Sequence, residues 1–257
     1  MTIAHESHAK LSPSRPFKFA SIKALFIRET CVKLIIGNKN YSSWSLRPWL
    51  LLKTKGIAFE EQLLRLNFDA ESPFKVELAK VAPTGKVPVL LDEDFAVWDT
   101  LAIAEYLADK FPQLGLWPAD ARDRARARSL CSEMHSGFGA LRNAFPMNIE
   151  ANLAEVGARI LNEDTAVQKD LGRIDAIWSE QLAKHPGAFL FGEFSIADAY
   201  FAPVCSRVAS YKLPLSPAAS AYVDRILNLP AMQEWQAAAR AENDFLDFDE
   251  PYRKSVA

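Results

Sequence analysis

Three short stretches of the chain carry residues whose types and spacing suit the binding of an anion. The first is the polar turn over residues 38–45, which follows an apolar run over 32–36 and holds Tyr41, Ser42 and Ser43. The start of the helix predicted after this turn offers free N–H groups and a partial positive charge, which favour an anion such as a thiolate. A nearby hydroxyl can donate one more hydrogen bond, so Tyr41, Ser42 and Ser43 are the candidate catalytic residues. The same serines also suit a plain helix N-cap.

The other two stretches offer backbone groups and a carboxylate. In the run from Thr84 to Pro88, a Val–Pro pair opens a predicted strand. A cis bond before Pro88 would leave the N–H and C=O of Val87 free to pair with an extended peptide, whereas the commoner trans bond implies only a strand start. Asp99 and Thr100 stand before a predicted helix, where they suit either an N-cap or a receptor for a carboxylate.

Alternating strand and helix patterns position these stretches within one α/β domain. The predicted strands are 32–36, 59–66, 87–91 and 95–98, and the predicted helices are 45–55, 73–81 and 100–111. A strand–helix–strand half followed by a strand–strand–helix half gives a four-stranded mixed sheet with helices packed against it. The pattern over residues 31–111 therefore predicts a thioredoxin-like domain.

The second half of the chain lacks strand patterns. Residues 112–119 are predicted to be a linker, and residues 120–257 an all-α domain. Apolar residues recur at helical spacing over 121–146, 165–184, 196–210, 217–228 and 231–241. A single helix over the first of these ranges would place His135 and Arg142 on one face. Asp198 stands three residues after a serine, the spacing of a capping box, so we expect Asp198→Ala to cost about 1 kcal/mol or more of stability.

Composition excludes several other classes of function. The chain has 257 residues, 24% of them charged, and a formal net charge of −2, so neither a nucleic acid nor a membrane surface is indicated as a partner. No apolar run approaches the ~20 residues that span a bilayer. Three scattered cysteines and four histidines indicate no disulfide framework and no metal site, which suits the reducing cytoplasm. Residues 1–30 are predicted to be a disordered extension, with a targeting peptide as the alternative.

The order and spacing of the three stretches together resemble the cytosolic glutathione transferase superfamily over roughly residues 32–245. The turn that begins at Tyr41 looks like a bacterial branch of that family. It is similar to the Ser-Ser-Cys-x-Trp-Arg turn of the zeta class, which includes maleylacetoacetate isomerases. Ser42 matches the first serine of that turn, which activates the thiol of glutathione. Trp44 stands in place of the cysteine and Leu46 in place of the tryptophan, departures that bear on isomerisation rather than on thiol activation.

The resemblance also implies which residues hold glutathione, the co-substrate. Val87, before Pro88, matches the position whose backbone pairs with the cysteinyl part of glutathione. Asp99 and Thr100 match the acidic-Ser/Thr pair that holds the γ-glutamyl end, and Lys86 is expected to meet the glycyl carboxylate. A free thiol has a pKa of ~8.5, so a hydroxyl donor and a helix start are needed to hold it as the attacking thiolate. No metal is implied.

The resemblance implies a homodimeric, cytoplasmic detoxification enzyme that joins glutathione to a small electrophile. Met134, His135, Phe138 and Arg142 are the candidate contacts for the electrophile, because clefts between domains are common ligand sites. Two alternatives stay open: a glutathione-dependent isomerase like maleylacetoacetate isomerase, and a non-catalytic binding protein on the same fold. A thiol–disulfide oxidoreductase is disfavoured because the serine-containing turn has no cysteine.

Overall fold

The structure is a computed structural model that describes residues 32–255. The predicted extension over residues 1–30 lies outside this range. In the described part of the chain, a four-stranded sheet with three helices is followed by seven further helices. The strands are β1 (Val32–Ile36), β2 (Phe59–Leu63), β3 (Val89–Asp92) and β4 (Phe95–Val97). The helices are α1 (Ser43–Thr54), α2 (Pro73–Ala79), α3 (Thr100–Lys110), α4 (Ala121–Ser136), α5 (Gly139–Ala144), α6 (Ala154–Glu163), α7 (Thr165–Lys184), α8 (Ile196–Tyr211), α9 (Pro217–Leu227) and α10 (Pro230–Ala241).

The sheet has the strand order β2-β1-β3-β4. β1 and β2 run parallel, with Val32 opposite Phe59, and α1 connects them. β3 runs antiparallel to β1, with Ile35 opposite Val89, and β4 forms a hairpin with β3. A mixed sheet in this order with helices against it is the thioredoxin-like arrangement, so the predicted fold class is confirmed.

A cap fixes where helix α1 begins, and apolar residues on most of its faces bury it between the two domains. The Ser42 hydroxyl accepts a hydrogen bond from the Ser45 N–H, so the helix begins two residues before its predicted start. Leu46, Trp49 and Leu50 are fully buried. They are covered because α1 contacts the sheet and α3 in one domain and α8 and α10 in the other. The turn at the start of α1 therefore lies at the junction of the two domains.

The single helix predicted over residues 121–146 is wrong, because α4 and α5 are separate helices. Phe138 between them has a φ of 55°, a left-handed conformation that an α-helix does not contain. At Gly137, a Cβ atom would lie 2.7 Å from the carbonyl oxygen of Glu133, so the turn needs a glycine. The apolar periodicity continues through the break because residues on both sides of it, including Met134, are buried in the same core.

The other predicted helices of this domain agree with α7, α8, α9 and α10 to within a residue or two. The sequence did not predict α6. Its interior holds Gly157, and glycine weakens the local preference for a helix. The structure requires this glycine, since a Cβ atom there would lie 2.0 Å from the carbonyl oxygen of Tyr211 on α8. The predicted linker contains a short 3₁₀ turn over Pro112–Leu114.

Candidate active site

The turn between β1 and α1 places its two adjacent serines differently. Ser42 is 8% exposed, accepts from the Ser45 N–H at 3.4 Å and donates to the Ser45 hydroxyl at 2.7 Å. Ser45 Oγ also accepts from the Gly37 N–H at 3.1 Å. Ser43 is half-buried, and its hydroxyl has no hydrogen-bond partner within the described residues. Both serines lie at the positive end of α1, with Ser42 inside a hydrogen-bonded cap.

Tyr41 is held by the C-terminal segment over residues 242–255. Its hydroxyl lies 2.9 Å from the carbonyl oxygen of Asp244 and 2.8 Å from Glu250 Oε1. Burial and then the Glu250 carboxylate raise the pKa of Tyr41, so the hydroxyl keeps its hydrogen. Glu242 in the same segment accepts from two backbone N–H groups of the turn, at 2.6 Å and 3.2 Å. Tyr41 therefore anchors the turn, and its hydroxyl already serves two acceptors.

A first cavity of about 560 Å³ opens beside the start of α1. It is lined by Trp44, Thr84, Lys86, Val87, Pro88, Trp98, Asp99, Thr100, Ala102 and His135. The Val87–Pro88 peptide bond is cis, one of the two arrangements considered from the sequence. Neither the N–H nor the C=O of Val87 is hydrogen-bonded within residues 32–255. The residues expected to hold glutathione thus surround one cavity with free backbone groups in its wall.

Asp99 and Thr100 stand at the start of α3. Asp99 Oδ1 accepts from the Leu101 N–H at 3.0 Å, which is the N-cap bond, while Oδ2 lies 3.1 Å from His135 Nε2. Thr100 Oγ1 lies 2.9 Å from the hydroxyl of Tyr200. Because α3 begins at Thr100, its N–H has no partner within the helix and is available to a ligand. The N-cap and the ligand-binding interpretations of this pair are therefore compatible.

A second cavity of about 480 Å³ shares Trp44, Lys86 and Val87 with the first. Its other lining residues are Tyr41, Ser42, Ser43, Leu66, Phe68, Phe74, Arg142, Asn143, Pro146, Met147, Arg207 and Asp249. The two serines of the turn line this cavity next to the shared wall, since Ser43 directly precedes Trp44. A molecule bound in the first cavity along Val87 can therefore extend an atom toward the serines.

Arg47 on α1 is a buried guanidinium without an ion pair in the described part of the chain. It is 3% exposed, and its Cζ lies 4.2 Å from the ring centroid of Trp44 and 4.6 Å from that of Tyr200. Within residues 32–255, its Nε and Nη1 have no hydrogen-bond partner. Burial lowers the pKa of Arg47 to about 10, so it stays cationic at neutral pH. Its charge is stabilised by the faces of the two aromatic rings.

Arg142 and Arg207 bring positive charge to the second cavity, and neither pairs with a carboxylate within residues 32–255. Arg207 is 5% exposed and donates from Nε to the carbonyl oxygen of Phe145 at 2.7 Å. Burial and then repulsion from Arg47 lower the pKa of Arg207 to about 9. Asp249 is the acidic residue among those that line this cavity, and burial raises its pKa to about 6. The cavity therefore carries net positive charge at neutral pH.

The four residues predicted to contact the electrophile do not line one cavity, although Arg142 Nη1 donates to the carbonyl oxygen of His135 at 3.3 Å. Met134 and Phe138 are 1% and 7% exposed, belong to the core and line neither cavity. His135 lines the first cavity and Arg142 the second. These two do not share a helix face as predicted, because the chain turns between them. They meet at Trp44 instead, where the His135 ring lies at 5.0 Å and Arg142 Cζ at 5.7 Å from the ring centroid.

Comparison with known proteins assigns the chain to a family. Residues 41–110 match the glutathione S-transferase N-terminal domain, and residues 120–238 match the glutathione S-transferase C-terminal domain. The chain is 30% identical over 173 residues to glutathione S-transferase 1 of Dianthus caryophyllus, an alignment that covers 66% of this chain and 75% of that protein. The chain belongs to the glutathione S-transferase family.

This glutathione transferase is also similar to an isomerase in sequence and to a solved glutathione transferase in structure. It is 30% identical over 177 residues to the maleylacetoacetate isomerase of Rattus norvegicus, which covers 68% of this chain and 78% of the isomerase. A solved glutathione transferase homologue from Burkholderia gl BGR1, with bound glutathione, superimposes with a TM-score of 0.62 at 25% identity and covers 82% of this chain and 98% of that one. The family predicted from the serine-containing turn, the Val–Pro pair and the Asp–Thr pair is confirmed.

Sequence reasoning missed four residues that lie in or beside the two cavities of this glutathione transferase: Arg47, Tyr200, Arg207 and Asp249. Arg207 carries a detectable signal, because a charged residue inside a buried apolar helix requires an explanation. Tyr200 lies in the same buried helix and looks like a core residue from its pattern. Asp249 follows the last predicted helix, where no local pattern connects it to the turn at α1.

Three further findings concern the described part of the chain. Within the described residues, no group of three or more histidine, cysteine, aspartate or glutamate side chains could hold a metal ion. None of the helices of residues 32–255 has the length and the apolar character needed to cross a membrane. Cys131 and Cys205 are free thiols buried in the core.

Proposed function

We propose that this glutathione transferase holds glutathione in the first cavity and stabilises its thiolate with the hydroxyl of Ser42. The backbone of Val87 pairs with the cysteinyl part, Asp99 and Thr100 hold the γ-glutamyl end, and Lys86 meets the glycyl carboxylate. The observation that carries this proposal is the shared wall of the two cavities. The free backbone groups of Val87 lie in the first cavity, and Ser42 lines the adjoining one.

The chemistry follows from the charge of the sulfur. Each pKa unit by which the thiol is lowered corresponds to ~1.4 kcal/mol of preferential stabilisation of the thiolate. A hydroxyl donor and the start of α1 together supply about one to two such units. Rotation about the Cβ–Oγ bond of Ser42 moves its hydrogen from Ser45 to the sulfur, while Oγ continues to accept from the Ser45 N–H. The thiol proton leaves to solvent, and a sulfur lone pair forms the new bond to the electrophilic carbon. With chlorodinitrobenzene, the C–Cl bond then breaks and chloride leaves with its electron pair.

Ser43 is the second candidate for the activating hydroxyl. Its hydroxyl is unpartnered within the described residues and lines the same cavity as Ser42. Tyr41 is the weakest of the three candidates, because its hydroxyl already lies against Asp244 and Glu250. We therefore assign Tyr41 to the anchoring of the turn rather than to the chemistry.

The second cavity receives the electrophile. Arg142 and Arg207 have no carboxylate partner within residues 32–255, so they favour an electrophile that carries a carboxylate, which would accept a charge-assisted hydrogen bond. The apolar residues Leu66 and Met147 supply contacts for the uncharged part of the molecule. The likeness to the Rattus norvegicus isomerase supports a second function at the same site. In that function the thiolate adds reversibly to a conjugated double bond and leaves after the bond has rotated.

The remaining parts of the proposal concern the whole protein. In this proposal the protein is a homodimeric enzyme of the cytoplasm that uses no metal and acts in detoxification. Its sheet domain spans 31–111, its linker 112–119 and its helical domain 120–257. Light scattering of the purified chain measures the oligomeric state, and activity that survives a metal chelator supports the metal-free chemistry.

Replacing single hydroxyls tests the activation of the thiol. Ser42→Ala is expected to lower turnover with chlorodinitrobenzene about tenfold, which corresponds to ~1.4 kcal/mol in the barrier. Ser72→Ala is the matched control, because Ser72 caps α2 in the same way and lines neither cavity. It is expected to keep full turnover.

Two results would contradict the proposal. Full activity in Ser42→Ala together with loss in Ser43→Ala would transfer the role to Ser43. A calorimetric titration that detects no binding of glutathione at millimolar concentration would overturn the whole site.

A further inference from the structure

Two side chains of the helical domain complete a closed circuit of polar contacts with the start of α3. His135 Nε2 lies 3.1 Å from Asp99 Oδ2. His135 Nδ1 lies 3.4 Å from the Tyr200 hydroxyl, which in turn lies 2.9 Å from Thr100 Oγ1. Since Asp99 and Thr100 are neighbours in the chain, the circuit joins α4 and α8 to one end of the first cavity.

Tyr200 is held firmly in this circuit. It is 1% exposed, the guanidinium of Arg47 lies 4.6 Å from its ring centroid, and the His135 ring stacks at 6.4 Å. Burial raises the pKa of Tyr200 although Arg47 acts in the opposite direction, so the hydroxyl keeps its hydrogen and can donate it. Thr100, also 1% exposed, therefore has one fixed polar neighbour.

The direction of these hydrogen bonds decides what Thr100 offers to a ligand. A hydroxyl has one hydrogen and two lone pairs. When Tyr200 donates to Thr100, the hydrogen of Thr100 is free to point into the first cavity. When Thr100 donates to Tyr200, that hydrogen is used. A carboxylate in the cavity favours the first direction, because it accepts a charge-assisted bond from the Thr100 hydroxyl.

We propose that Tyr200 and His135 are positioning residues for glutathione. Tyr200 turns the Thr100 hydroxyl toward the γ-glutamyl carboxylate, and His135 fixes Asp99 for the γ-glutamyl ammonium group. This inference rests on the proposed placement of glutathione in the first cavity. It moves His135 from the electrophile side of the site to the glutathione side, and it makes glutathione affinity depend on the contact between the two domains.

A double-mutant cycle tests the coupling between Tyr200 and Thr100, with the dissociation constant of glutathione measured by isothermal titration calorimetry. Thr100→Val and Tyr200→Phe are each expected to raise this constant about fivefold. The double variant is expected to bind no more weakly than Thr100→Val alone, because Tyr200 acts through Thr100. Tyr211→Phe is the matched control: Tyr211 is also on α8 and 1% exposed, and its hydroxyl donates to the carbonyl oxygen of Pro146. It is expected to leave the constant unchanged.

The outcomes separate this inference from the proposed function beneath it. An unchanged constant in Tyr200→Phe, or strictly additive effects in the double variant, overturns the positioning role while the glutathione placement stands. An unchanged constant in Thr100→Val also overturns the positioning role alone, because the backbone N–H of Thr100 and the backbone of Val87 are kept in that variant. Only a titration of the native chain that detects no glutathione binding overturns both. His135→Ala tests the Asp99 side of the circuit even if Tyr200→Phe does not fold. We expect a higher KM for glutathione with an unchanged KM for the electrophile, and the reverse pattern overturns the role of His135.

Discussion

The two cavities share a wall but take their polar groups from different sources. The first takes most of them from one stretch of chain, residues 84–100, which includes the backbone of Val87 and Thr100, and adds His135 from α4. The second takes them from side chains of the turn before α1, of α5, of α8 and of the C-terminal segment. Backbone groups keep one pattern whichever side chains surround them, which suits one fixed peptide ligand. A cavity built from side chains can change with each substitution, which suits a ligand that differs between related enzymes.

Charge separates the two cavities as well. The first combines the acid Asp99 with Lys86, so it matches a ligand that carries both signs. The second has Arg142 and Arg207 against Asp249. This imbalance attracts an anion and is strengthened by burial, because charges are screened less away from water. The difference predicts separate effects of substitution on the two substrates.

The largest effect is expected at a residue that touches neither cavity. Asp198 is fully buried and accepts from the Leu190 N–H, from the N–H and hydroxyl of Ser195 and from the Tyr222 hydroxyl, at 2.9 to 3.1 Å. Asp198→Ala leaves these donors unpaired and is expected to lower the free energy of unfolding in urea by about 3 kcal/mol, with unchanged glutathione affinity. Asp164→Ala, which removes a simpler cap from α7, should cost about 1 kcal/mol. A variant of native stability that no longer binds glutathione would show that Asp198 belongs to the site.

The second prediction sharpens the difference in charge. Arg142→Leu is expected to lower kcat/KM for a chloronitrobenzoate about 30-fold, which corresponds to the ~2 kcal/mol of a hydrogen bond between charged groups. The same variant should keep its kcat/KM for chlorodinitrobenzene and its KM for glutathione. Arg142→Lys, which keeps the charge without the bidentate geometry, should lose less. Equal losses with both electrophiles would mean that Arg142 does not select for charge.

The smallest effect concerns the pH dependence of the second cavity. Burial raises the pKa of Asp249 to about 6, so this carboxyl takes up a proton as the pH falls through that value while a benzoate, with a pKa near ~4, stays ionised. The KM for the chloronitrobenzoate should therefore fall between pH 7 and 5.5, relative to that for the uncharged electrophile. In Asp249→Asn, the KM for the chloronitrobenzoate divided by the KM for the uncharged electrophile should be about threefold lower at pH 7 than in the native chain. This ratio should also be independent of pH. A pH slope that survives in this variant would assign the effect to another group.

The fold was predictable wherever neighbours in the chain decide the structure. β1, the hairpin of β3 and β4, and the cap that Asp99 forms at α3 all follow from runs of apolar residues and from the polar residues between them. The break after α4 was not predictable in this way. It depends on the close approach of Gly137 to the carbonyl of Glu133. The apolar residues on the two sides of this break have the same spacing that a continuous helix would have. Likewise, Gly157 weakens the helix signal of α6. The reason for a glycine there is the close approach of Tyr211 on α8, which the local sequence does not show.

Residue types and their order along the chain determined the family, the sheet domain and the groups of the first cavity, because those groups lie close together in sequence and use backbone atoms. Only the tertiary structure decided that Tyr200 and His135 reach Thr100 and Asp99, and that Arg207 and Asp249 line one cavity with Ser42. These contacts join residues that are far apart in the chain. Which of their side chains meet depends on how α1, α4 and α8 pack together, and apolar periodicity describes only which face of each helix is buried.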